Sequence, residues 1–181
     1  MPGFSGDPLD ILLGHNHWAT RDLLERCRVL TPEQFHQHFD IGPGSLHDTL
    51  THIAGAILRW ADRIDGPPRL LRPSIERPAG APEGGPTLDM PRRTPDELIA
   101  ILNDACADFA DVVSRQRPRL AEVRVWTFGS DTYRFTVCAA IIHVTNHGMH
   151  HRAQCMNMLK QLGHPVNADL DELEWQLAGE P

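Results

Sequence analysis

The sequence predicts an all-α protein, a four-helix bundle with a small β-hairpin or extended excursion between the third and fourth long helices. Three observations lead there. Apolar residues recur at three- and four-residue steps through four long stretches. Helix-start signals stand at the head of three of them. Just one short segment alternates in the manner of paired strands. The 181 residues suffice for one domain with its own core, so a single domain over 1–181 is expected.

The first helix opens at Asp7 with Pro8 in the first helical position. Leu9, Leu12, Asn16, Leu23, Cys27 and Leu30 form its inner stripe, widened by Leu13 and Leu24. Thr31-Pro32-Glu33-Gln34 restarts the chain as a short capped turn. The second long helix follows Gly42-Pro43-Gly44, with Ser45 and Asp48 spaced as a capping box. Leu46, Leu50, Ile53, Ile57, Trp60 and Ile64 then alternate steps of four and three, a bundle seam. Residues 66–93 are rich in Pro, Gly and Arg without apolar period, and read as a long surface loop that could also cover a site.

Thr94, Pro95 and Glu97 start the third long helix, which carries Leu98, Ile101, Leu102, Ala105, Phe109 and Val112 and stops before Pro118. Val123 and Val125 precede Gly129-Ser130-Asp131 and Tyr133 and Phe135 follow it, which suggests a small hairpin or an extended excursion. A lone hairpin is marginal in water, so it must lean on the helices. The fourth long helix runs from about Thr136 to Leu162 and ends at Gly163. A short amphipathic segment, 168–177, is expected to pack across the bundle through Leu170, Leu173, Trp175 and Leu177.

Composition narrows the function. Lys and Arg number 17 against 24 Asp and Glu, a net charge of −7, which disfavours nucleic acid as a partner. No apolar run approaches the roughly 18–20 residues of a spanning helix, and the first residues show no secretory pattern, so no membrane partner and a cytoplasmic location are expected. Cys27, Cys106, Cys138 and Cys155 lack metal-site spacing and read as small core residues.

The anomaly is histidine: eleven in all, four of them at 143, 147, 150 and 151. His147 and His151 lie four residues apart, so on a helix they stand about 40° apart and one turn along the axis. That spacing lets two imidazoles converge on one ion. No Glu follows His147, so the metalloprotease pattern is absent. Their neighbours Ala140, His143, Val144, Cys155 and Met158 mark a face turned inward. Buried neutral imidazoles need partners: polar neighbours could serve each, whereas a shared divalent ion would serve both. For a third ligand the second long helix offers His47 and His52, on opposite flanks of its seam, and periodicity does not choose between them. Asp48, four residues before His52, is a candidate to orient its ring or to cap the helix. Gln154 follows His151 within a turn. Cys155 points the same way, as a core thiol or an extra ligand. His143, one turn before His147, is expected to stand behind the ligating rings or to pack as core, while His150 and Arg152 turn away.

Three segments resemble the DinB/YfiT-like family of metal-binding four-helix proteins. Leu12-Leu13-Gly14-His15-Asn16-His17-Trp18, continued to Leu23-Leu24, resembles the family's opening helix. Ser45 through Ile53, with His52 and then Trp60, is similar to its second motif. Asn146-His147-Gly148-Met149-His150-His151-Arg152-Ala153-Gln154 is similar to its last-helix signature and is the most specific of the three. The likeness covers nearly the whole chain. It implies His52, His147 and His151 as metal ligands, with His52 at the family's place by its spacing to Leu50, Ile53 and Trp60. Ala153 stands where glycine is usual and Gly148 where a polar residue is more common; both bear on helix packing rather than ligation. The insert of 66–93 is longer than a typical connection and bears on access.

Three neutral ligands leave the ion its +2 charge and a position open to an anion. Zinc or nickel is the expected metal, with iron possible. The resemblance implies a metal-dependent enzyme on small-molecule substrates in two versions. One is thiol S-transfer with a low-molecular-weight thiol as cofactor. The other is hydrolysis by a hydroxide on the ion. Hydrolysis also wants a general base, and the sequence singles out no carboxylate near the three histidines for that part, which tilts the expectation toward thiol transfer. A non-catalytic metal-binding or stress-related protein is the reading from another class. A homodimer is expected from the family likeness.

Overall fold

The computed structural model of the chain describes residues 6–66, 74–76 and 91–179. Among these, four long helices carry the fold: α1 (Pro8–Cys27), α3 (Leu46–Asp65), α4 (Pro95–Gln116) and α5 (Val137–Gln161). Two short helices, α2 (Pro32–Phe35) and α6 (Glu172–Leu177), are accessory. A 3-10 turn, Arg117–Arg119, leads from α4 to the hairpin β1 (Val123–Phe128) and β2 (Asp131–Thr136).

Each helix begins where a side chain can accept its orphan amides. Asp7 accepts from the Leu9 amide, Thr136 from that of Ala139, and Asp171 from that of Glu174. Thr31 and Thr94 close full capping boxes with Gln34 and Glu97. Ser45 accepts from the Asp48 amide (3.0 Å), the first half of the predicted box. The Asp48 carboxylate accepts instead from Nδ1 of His47 (2.8 Å).

The helices pack as a ring in which α3 touches α4 and α5, and α1 touches α4 and α5. So α1 lies diagonal to α3, and α4 to α5. Both diagonals are crossed by long connections, 28–45 and 117–136, the second containing the hairpin. The seam predicted on α3 is the core: Leu46, Leu50, Ile53, Ile57 and Ile64 are buried against Leu23, Leu102, Val112, Ile141 and Met158. Trp60 is half-buried, its ring 5.2 Å from that of Phe135 and 4.8 Å from that of His143. Arg124 donates to the Ile64 carbonyl (3.1 Å) and to Gln116 (2.8 Å), and the Arg63 guanidinium stacks on Trp126 (3.7 Å). These contacts anchor the hairpin to the ends of α3 and α4, as a two-stranded sheet requires.

The C-terminal segment departs from its expected packing. Leu170 and Trp175 are buried, but Leu173 and Leu177 are 70% and 87% exposed. In so short a helix, positions two residues from Trp175 lie about 200° around the axis and face away. The reading of 66–93 as a surface loop or cover falls mostly outside the described residues. Among its described residues, Glu76 is bonded to His52 and Arg59 of α3.

Candidate metal centre

Two neighbouring helices present the histidines to one another. His52 stands in the first half of α3, and His147 and His151 occupy successive turns of α5. Nε2 of His147 lies 3.1 Å from Nε2 of His52 and 3.2 Å from Nε2 of His151. One donor atom from each of the three falls within 4.8 Å of the others, a grouping able to hold a metal ion. With bonds of about 2.0–2.1 Å, tetrahedral zinc needs ligand nitrogens about 3.3–3.4 Å apart, so both short edges fit.

Hydrogen bonding behind the rings decides which nitrogens carry protons. His52 donates from Nδ1 to Oε2 of Glu76 (3.0 Å), and the carboxylate can only accept. His151 donates from Nδ1 to Oε1 of Gln154 (2.8 Å). With the rings neutral, the Nε2 atoms of His52 and His151 are lone pairs, and both point at His147 Nε2. A neutral His147 can donate one proton there, to one of them. Neither His147 nor His151 takes up an extra proton readily. Burial, followed by His151, His52, His143 and the Arg59 charge, pushes the His147 imidazole down to about 3. Burial also lowers His151, against the Gln154 hydrogen bond that favours its charged form. Three convergent imidazole nitrogens that share at most one proton between neutral rings are chemically suited to a cation.

Glu76 was invisible to sequence periodicity. It is 7% exposed, and besides His52 it receives Nη1 of Arg59 on its other oxygen, Oε1. Burial acts to raise its carboxyl; the hydrogen bonds and charges of His52 and Arg59 outweigh it and hold the group below the usual range. The orienting role suggested for Asp48 therefore belongs to Glu76, because α3 turns Asp48 toward His47. A carboxylate does stand behind the triad, contrary to the sequence expectation.

His47 lies elsewhere. It is 1% exposed, donates from Nδ1 to Asp48 and accepts the Arg93 amide at Nε2 (3.2 Å), with its ring stacked on His36 (4.5 Å). Both of its nitrogens are satisfied in joining α3 to the start of α4. His143 is exposed at the rim of the triad, its ring 5.7 Å from that of His147, and is not a core residue. His150 is exposed yet not remote, since its ring lies 5.0 Å from His151 and its Nε2 is 3.0 Å from Gln154 Nε2. Arg152 does turn away: it is 4% exposed and donates to Asn16 (2.7 Å) and Thr20 (3.3 Å), tying α5 to α1. Cys155 is fully buried, and burial raises its thiol well above the ordinary value, so it packs as core and stays outside the triad. A cavity of about 130 Å³, lined by His15, Met149, Arg152 and Leu170 among others, shares no residue with the triad.

No helix among the described residues is long and apolar enough to cross a membrane. In comparison with known proteins, the chain is 24% identical over 158 residues to Protein DinB of Bacillus subtilis (strain 168), covering 84% of this chain and 85% of that protein. The model of the DinB family matches residues 6–179, nearly the full length, and the chain belongs to that family.

Proposed function

We propose that the chain holds one divalent transition metal through Nε2 of His52, His147 and His151, and acts on small molecules as a metal-dependent thiol S-transferase. The observation that carries the proposal is the convergence of three imidazole Nε2 atoms, two of them fixed as lone pairs by acceptors on Nδ1. Imidazole donors suit zinc or nickel, and iron is also compatible. Such an ion supplies Lewis acidity and lowers the pKa of a thiol or water beside it.

The chain's own residues set the surroundings. Glu76 and Gln154 hold the His52 and His151 rings in one tautomer. Burial keeps His147 neutral, so the donors are ready at neutral pH. Neutral donors leave a dication uncompensated, and that charge favours an anionic partner such as the thiolate of a low-molecular-weight cofactor. Hydrolysis is the second reading. It needs a free base, whereas the Glu76 carboxylate has both oxygens committed to His52 and Arg59 and its pKa lowered, which leaves it a weak proton acceptor.

The first test is metal content by elemental mass spectrometry on untagged wild type and His147→Ala. About one equivalent in the wild type and none in the variant supports the site. A wild type that remains empty when offered zinc and nickel sinks it and leaves a non-catalytic bundle. Loaded protein is then assayed with small thiols plus electrophiles and with ester and amide substrates. Turnover of the second set alone would replace thiol transfer with hydrolysis.

A further inference from the structure

The contact of residue 76 with α3 is built with unusual closeness. Gly55, less than one turn after His52, is where the Glu76 carboxylate sits. A Cβ on Gly55 would lie 2.5 Å from Glu76 Oε1, 3.2 Å from its Cδ and 3.0 Å from Arg59 Nη1. Glycine thus leaves a slot on α3 between His52 and Arg59, the residues one turn apart on either side that grip the carboxylate. Ser74 adds a local brace, its Oγ accepting the Glu76 amide (3.2 Å). Glycine in a helix interior is less favourable than alanine, so the slot is kept at some expense to α3.

From this geometry we infer that Glu76 is a positioning residue for the metal centre, and that docking of residues 74–76 on α3 and metal binding by the three histidines are one linked equilibrium. The inference rests on the metal-binding reading above and deepens it. With Nδ1–H of His52 given to a carboxylate, the ring turns its Nε2 lone pair toward His147 and becomes a stronger donor. Partners behind a ligating histidine typically change metal affinity by about 10–100-fold. Linkage makes the effect reciprocal: a metal ion that binds better with Glu76 in place must hold Glu76 in place by the same factor. Arg59 completes the clamp by anchoring the second carboxylate oxygen, so the ring and the segment share one fixed point.

The experiment has two independent readouts. The metal-free protein is labelled with ¹⁵N and the His52 tautomer read by long-range ¹H–¹⁵N NMR; zinc affinity is measured by competition with a chromophoric chelator. In wild type His52 carries its proton on Nδ1. Glu76→Ala and, independently, Gly55→Ala release that proton to a mixture of tautomers and weaken zinc about 10–100-fold, while Glu76→Gln retains the tautomer and loses part of the affinity. Adding zinc to wild type slows hydrogen exchange of peptides covering 74–76, and does not do so in His147→Ala. If both alanine variants keep the Nδ1–H tautomer, or bind zinc as tightly as wild type, the inference is overturned. If the wild type binds no metal although the tautomer depends on Glu76, the metal proposal fails, and with it the linkage, while the clamp on His52 stands.

Discussion

Replacing Gly148 by alanine should destabilise this protein, although the same change in an ordinary helix interior stabilises it. Removing glycine's conformational freedom is worth roughly 0.5–1 kcal/mol in favour of alanine. Here a Cβ at 148 would overlap Oδ1 of Asn16 and lie 3.0 Å from Nη1 of Arg152. Those atoms form the 2.7 Å bond between α1 and α5, and both residues are almost fully buried. A hydrogen bond to a charged group contributes about 1.5–3 kcal/mol, and the displaced guanidinium keeps the longer bond to Thr20 (3.3 Å). Subtracting the alanine gain leaves a net loss of about 0.5–2.5 kcal/mol, at about 2–4 °C of Tm per kcal/mol in a chain of this size. Urea denaturation followed by circular dichroism measures it, with Asn16→Ala as the second arm of a double-mutant cycle. In that background the methyl has no acceptor to displace, and Gly148→Ala should cost nothing further. A Gly148→Ala protein as stable as wild type, or an equal loss in both backgrounds, would refute the reasoning.

Two further outcomes follow from the same geometry. His47→Ala should lower stability by about 1–3 kcal/mol, because it leaves the Arg93 amide without its acceptor and takes a bond from the Asp48 carboxylate; zinc binding, by the competition assay, should be unchanged. Acid should act through His147. Its unfolded form takes up a proton below about pH 6.5, whereas the folded form, held down chiefly by burial and then by the neighbouring histidines, does not until about 3. That group's contribution is therefore present above pH 6.5 and lost as pH falls from there toward 3. Metal-free wild type should lose more stability between pH 7 and pH 5 than metal-free His147→Ala, as read from urea midpoints; equal losses would count against a buried neutral His147.

Much of the fold was legible because helix signals are local. A cap, a proline at N1 or a glycine stop acts within one turn of its own position, and the apolar steps of α3, α4 and α5 repeat over four or more turns. The hairpin declared itself by a turn flanked by alternating residues. The i, i+4 pair His147 and His151 is likewise a property of one helix. It is there in the sequence whatever the bundle does around it.

What α5 faces is a different matter. Periodicity left His47 and His52 open because both flank the same seam, and which flank meets α5 is decided when α3 packs. That packing sends His47 to the Arg93 amide and His52 to the triad. Asp48 has the right spacing for His52, yet its immediate neighbour His47 takes it. Glu76 sits in a stretch with no period at all, 24 residues from His52, and its role depends on a slot at Gly55 that exists only in three dimensions. The sequence by itself determined the helices and the pair of histidines on α5, since both follow from contacts within a turn or two. The family motif around His52 named the third histidine, but only the tertiary structure decided why His52 rather than His47 faces α5, the carboxylate behind it and the outward turn of Leu173 and Leu177. Those depend on which helix faces pair, and no local spacing encodes that choice.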